Sequence, residues 1–216
     1  MDEAFRKARD QVKNMLEQFY EAIDMIEETI VKMSDDENVE TGRVKSAFQM
    51  ELLSYLGYLA ASDGRITRAE TDLIEDLMGI DLRPAKLKQV IEENDIYSVE
   101  FETRAPKTLE VLVEIDNMLY RNHLLGDNSV STAELYLQVF DPVGTLFIWV
   151  EGEPSEQALA DHRTYNRMLR QYLSEHLDQY EDSVTISNKK KGAVVELTAE
   201  VDDETEEVIF IKKKGE

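Results

Sequence analysis

The chain reads as mainly α: a duplicated helix-turn-helix helical domain, entered through a long N-terminal helix and followed by a small C-terminal β meander. Three observations predict this. Apolar residues recur at three-four spacing from Phe5 to about Tyr180, one turn sequence occurs twice, and β-branched runs take over in the tail. The changes of pattern divide the chain into an N-terminal amphipathic arm (1–40), a helical body with a C-terminal helix (41–181) and a β-rich tail (182–216).

The first helix is carried by Phe5, Ala8, Val12, Met15, Phe19, Ala22 and Ile26, and continues loosely to Ile30 and Met33. Such a helix either packs on its own domain or offers a seam for a homo-oligomer. The polar stretch Ser34 to Thr41 then reads as a linker. A second helix from about Val44 to Ala61 turns Phe48, Leu52, Leu53, Leu56 and Leu59 toward a core, and Asp63-Gly64 breaks it. Thr67 to Met78 is the third, closed by Gly79, and Pro84 opens a fourth that ends near Glu93.

Beyond a looser segment, a helix is expected from about Pro106 to Asn122, with Leu109, Leu112, Val113, Ile115 and Leu119 on its apolar side. After a break at Gly126 to Asn128 the chain is helical again from Ser131 and is expected to give way near Asp141-Pro142. The run GTLFIWV, from Gly144 to Val150, follows as a new buried helix or, by β-propensity, a strand. Pro154 introduces a last helix reaching about Tyr180, with His162 and His176 on its amphipathic rim. Val184 to Ile186, Ala193 to Val201 and Val208 to Ile211 are the strands of the expected meander.

Composition narrows the function. Of 216 residues, 24 are Lys or Arg and 46 are Asp or Glu, a formal charge of −22 that repels nucleic-acid backbones and anionic lipid. No apolar run is long enough to cross a bilayer and the N-terminus lacks a signal-like segment, so a cytoplasmic protein with no integral membrane segment is expected. The absence of cysteine removes disulfides, thiolate metal sites and thiol nucleophiles. Phosphate-cradling, dinucleotide, nucleophile-elbow and zinc-helix motifs are missing, which points away from an enzyme. The triplets Lys189 to Lys191 and Lys212 to Lys214 read either as protection of strand edges or as a basic surface that docks the tail electrostatically onto the acidic helical body or an anionic partner.

The duplicated turn is the most informative feature. LAASDGRITRAE, Leu59 to Glu70, aligns without gaps with HLLGDNSVSTAE, His123 to Glu134. Asp63 matches Asp127, Ile66 matches Val130, Thr67 matches Ser131 and Glu70 matches Glu134. Structure alone explains each position: a chain reversal, an apolar staple, and a capping box in which Thr or Ser pairs with the Glu that follows in the same turn. The same residues also look like half of a calcium loop, with Gly64 at position 6 and Glu70 at position 12. Leu59 and Ala61 then stand at positions 1 and 3, where carboxylates belong, and His123 and Leu125 stand there in the second copy. Neither loop closes a cage alone. A shared site would pool Asp63, Glu70, Asp127 and Glu134, with His123 nearby, around calcium, magnesium or zinc; no cofactor is otherwise required.

The pattern YLGYLAASDGRITRAETDLIEDLMG, Tyr55 to Gly79, with its degenerate second copy, resembles the TerB-like domain associated with tellurite resistance. The resemblance spans about Val44 to Trp149, and Asn128 departs from the usual turn glycine. It implies an all-helical, cytoplasmic, non-catalytic module in a stress-response or membrane-associated complex. Carried over by position, its acidic turns are Asp63 with Glu70 and Asp127 with Glu134. Two functions are therefore expected to compete: an acidic interaction module for an unknown protein partner, and a divalent-metal-binding stress protein.

Overall fold

The structure, a computed structural model, describes residues 3–33, 42–62, 64–96, 101, 103–122, 124, 131–178, 197–201 and 208–212. The chain forms two units, Met1–Asp178 and Gln179–Glu216. Among the described residues the first is an all-helical domain of seven helices: α1 (Glu3–Met33), α2 (Arg43–Ala61), α3 (Arg68–Met78), α4 (Pro84–Glu93), α5 (Lys107–Arg121), α6 (Thr132–Ile148) and α7 (Glu156–His176).

The expected meander is corrected by the second unit, whose described residues form only one antiparallel pair, β1 (Leu197–Val201) and β2 (Val208–Lys212), with Val201 opposite Val208. Of the three β-branched runs, Val184 to Ile186 lies outside the described residues.

In the helical unit α2 and α6 occupy the middle. α6 packs against α1, α2, α5 and α7, and α2 also meets α3, α4, α5 and α7. The core is aromatic at its centre: Phe48 of α2 lies 4.6 Å from the Phe19 ring of α1 and 5.5 Å from Tyr136 of α6, which stacks on Phe140 at 4.4 Å. Val12, Leu16, Phe19 and Ile23 bury one stripe of α1. The N-terminal helix is thus part of the helical unit, held by the apolar spacing that first identified it.

The duplication is visible in the helix starts. Arg43 opens α2 as Lys107 opens α5, and Arg68 opens α3 as Thr132 opens α6, so that both pairs keep the register of the aligned turns. Both capping boxes form, Thr67 with Glu70 and Ser131 with Glu134. The copies part at their far ends. Gly79 adopts φ 70° and closes α3, a left-handed conformation that glycine takes without steric penalty.

At the matching place in the second copy stands Val143, buried, and α6 runs on through Pro142 to Ile148. This overturns the expected break at Asp141-Pro142 and the strand option for GTLFIWV. Burial of Val143, Leu146 and Phe147 against the core outweighs the hydrogen bond that Pro142 cannot donate. At the other end α7 stops at His176, and Leu177 is extended, short of the expected Tyr180.

Three helix N-termini take a carboxylate from a neighbouring helix. Gly42 caps α2 without a side chain, and Glu27 of α1 supplies both oxygens, accepting from the Gly42 N–H and from the Val44 N–H at 2.7 Å. Pro106 precedes α5, and Glu51 of α2 accepts from the Thr108 N–H at 2.9 Å. Asp116 of α5 accepts from the Ala133 N–H at 2.8 Å, beside the Ser131 box of α6. Each pairing places negative charge at the positive end of a helix dipole.

Candidate functional site

The acidic residues singled out by the sequence are committed to the backbone where the structure describes them. Glu70 Oε2 accepts from the Thr67 N–H at 2.7 Å and from the Thr67 hydroxyl at 3.0 Å. Glu134 Oε2 accepts from the Ser131 N–H at 3.1 Å. Asp63, Asp127 and His123 lie outside the described residues. Among the described residues no three His, Asp or Glu side chains gather as metal ligands would. α3 packs on α2 and α4, whereas α6 packs on α1, α2, α5 and α7, so the two boxed helices share only α2 among these neighbours.

What the structure does assemble is a groove between the first half of α1 and the end of α6, with a volume of about 1130 Å³. Its α1 wall is Phe5, Ala8, Val12 and Met15, residues at three-four spacing that share one helix face. Its other wall is Pro142, Leu146 and Trp149, again one turn apart. Trp149, the chain's single tryptophan, is 48% exposed there. The charged residues lining the groove, among those described, are Asp141, Glu151 and Glu153. Arg9 and Lys13 of α1 reach instead to Asp76 on α3, at 3.4 and 2.9 Å. The groove is therefore apolar at its walls and acidic at its rim.

Behind the groove lies a buried polar network. His162 was expected on the rim of α7 but is only 7% exposed, because α7 packs this face against α6 and α2. The Tyr55 hydroxyl lies 2.6 Å from His162 Nδ1, and Asn166 Nδ2 lies 3.1 Å from the same nitrogen. Burial, with Tyr165 and Asp141 nearby, raises Tyr55 well above the ordinary phenol value, so it keeps its proton, and because the Asn166 amide nitrogen can only donate to Nδ1, the Tyr55 hydroxyl donates there too. Nδ1 is then the acceptor, and Nε2 carries the proton toward Thr145 Oγ1 at 3.2 Å and Asp141 Oδ1 at 3.3 Å. The hydrogen bond from His162, helped by Arg170 at 3.0 Å, holds the Asp141 carboxyl below its usual range despite partial burial.

Asp141 and Thr145 thus belong to both the network and the groove. Gly144 makes the close approach feasible: a Cβ there would stand 2.2 Å from the Tyr55 hydroxyl oxygen and 2.7 Å from His162 Nδ1. An Asp-His-Tyr chain resembles a proton relay in outline. Here its tyrosine is fully buried under α6 and keeps its proton, so the chain fixes three helices and one groove carboxylate in place. His176, by contrast, is an exposed residue stacked on Tyr172 at 4.2 Å, in keeping with a rim position.

The groove was hidden from sequence reading because its walls are residues 4–15 and 141–153, segments with no motif linking them. The available signals were Asp141-Pro142 set inside an apolar run and a lone tryptophan at its end. Comparison of the chain with protein-family models, with curated proteins and with solved structures finds no match. Among the described residues no helix is long and apolar enough to cross a membrane.

Proposed function

We propose that the helical unit is a non-catalytic interaction module that takes a helical segment of another protein into the groove between α1 and α6. The observation that carries this reading is the pairing of apolar walls with a half-exposed Trp149 and an acidic rim. Aromatic side chains at the centre of an apolar patch are where binding energy concentrates in protein interfaces. The network behind supports the same reading, since it commits the one buried histidine among the described residues to holding a wall rather than to exposing a reactive group.

The resemblance to TerB-like domains enters as part of this proposal: the module would act in a stress-response or membrane-associated complex. Its support is the pair of boxed helices in matching register. Deletion in the native host that leaves tellurite tolerance unchanged would count against the stress role.

Site-specific photo-crosslinking tests the groove. A photoreactive phenylalanine analogue placed at Trp149 should give a discrete adduct that mass spectrometry maps to one segment of one protein. The same group at Met25, which is 71% exposed elsewhere on α1, should not. Identical adducts from the two positions, or none from Trp149, would refute the reading.

A further inference from the structure

Resting on the proposed groove, we infer that its occupant is a cationic amphipathic helix of about three turns. Length points to this first. The α1 wall runs from Ala4 to Met15, about 16 Å at ~1.5 Å per residue. That length matches apolar anchors spaced over three turns of a docked helix. The lining residues of α1 and of α6 both repeat every three or four positions, the ridge pattern into which a third helix packs. Ala4 and Ala8 are small enough to let it come close.

Charge then sets its sign. No Lys or Arg lines the groove among the described residues; its three charged groups are carboxylates, and with Asp141 already held by Arg170 and His162, Glu151 and Glu153 are the two that face an occupant. Among the described residues Glu151 pairs with Arg65, in an exposed contact at 3.2 Å of a kind that contributes little and exchanges readily. Glu153 has no ion pair with a described residue. A Lys or Arg one turn from an apolar anchor would meet these groups as the anchor covers Trp149. A second copy of the chain would bring a further net charge of −22, and an anionic lipid tail would set its headgroup among carboxylates, so both are disfavoured at the same rim.

Trp149 makes the test direct, since all tryptophan emission of the chain comes from the groove. The full chain is titrated with three synthetic peptides of about 14 residues, roughly four turns: an amphipathic Lys/Leu helix, its Glu/Leu counterpart, and a Lys/Leu peptide of scrambled order. The first should shift Trp149 emission to the blue and saturate, the second should leave it unchanged, and the third should bind at least several-fold more weakly. The double variant Glu151→Lys, Glu153→Lys should weaken the first peptide about tenfold, as expected for two rim charges. Glu92→Lys with Glu93→Lys, the same charge change on α4 outside the groove, should alter it less than about twofold.

Equal binding of the Glu/Leu peptide, or equal losses in the two double variants, overturns the cationic helix. If Trp149 crosslinks persist under that outcome, the groove remains a polypeptide site for another kind of segment. If they vanish too, the groove itself falls.

Discussion

The Tyr55 hydroxyl and His162 Nδ1 stand 2.6 Å apart across the face of α6 at the one residue of that helix with no side chain, Gly144. The contact joins α2 to α7, and it exists because α6 leaves room for it. A methyl group at position 144 would overlap both partners, whose positions are set by the buried rings around them.

Gly144→Ala should therefore cost at least about 3 kcal/mol or prevent folding, beyond what a gain in helix propensity returns. Gly57→Ala is the control. Its Cβ would lie 3.1 Å from Ile91 Cγ1, the side of a chain that can shift, so the change should stay within about 1 kcal/mol. Urea denaturation midpoints of the two variants decide the matter; equal losses would remove the special role of position 144.

Three carboxylates, Asp116 buried and Glu51 and Asp141 half-buried, give stability an opposed pH dependence. Burial raises Glu51 and Asp116 above the ordinary value, against the N–H groups they accept from. Their contribution is complete below about pH 4 and is lost as pH rises through the raised folded values. Asp141 is lowered by His162 and Arg170, so its contribution is present above about pH 4 and lost as pH falls through its folded value. Relative to the wild type, Glu51→Gln with Asp116→Asn should gain stability as pH rises from about 4 to about 7, and Asp141→Asn should gain as pH falls below about 4. Denaturation curves across that range read the two slopes, and slopes of the same sign would contradict the assignment.

The duplicated corner should respond as a cap. Thr67→Ala and Ser131→Ala should each cost about 1 kcal/mol, and Glu70→Ala a similar amount. Because the Glu70 carboxylate accepts from Thr67, its loss should be the same in calcium, magnesium or zinc as in a chelator. A deficit that appears only with one of those ions would assign Glu70 to a metal instead, and thermal melts in each condition distinguish the two.

Pro142→Ala should stabilise the helical unit by about 1 to 3 kcal/mol, since it restores a hydrogen bond inside α6 and removes a ring clash with the preceding turn. If the proline is kept to shape the groove it lines, the stabilised variant should bind the Lys/Leu peptide less well. The midpoint and the Trp149 titration are read on the same protein.

Local chemistry made the helices and both capping boxes legible in the sequence, because Thr67 and Glu70, or Ser131 and Glu134, act within one turn of chain. The common register of the two copies was legible for the same reason. Glu27, Glu51 and Asp116 were not, because the N–H groups they accept from belong to other helices and only the packing brings them together. His162 read as a rim residue because three-four spacing locates the edge of a face but says nothing of what covers it. Pro142 read as a stop because its local cost is certain, whereas the burial of Val143, Leu146 and Phe147 that overrides it is a property of the whole domain. The apolar groove joins both ends of this problem, since each wall alone is an ordinary amphipathic stripe.

Borrowed carboxylates at the starts of α2, α5 and α6 make these helices poor candidates for independent existence. A fragment cut from Arg43 onward would lack Glu27 and begin with open amides; one cut before Arg43 would leave α1 with an acid facing solvent and an apolar stripe uncovered. Secondary structure and assembly are coupled in such a protein, so trimming it for expression between α1 and α2 should yield unstable pieces, and swapping in a better helix former would not rescue them.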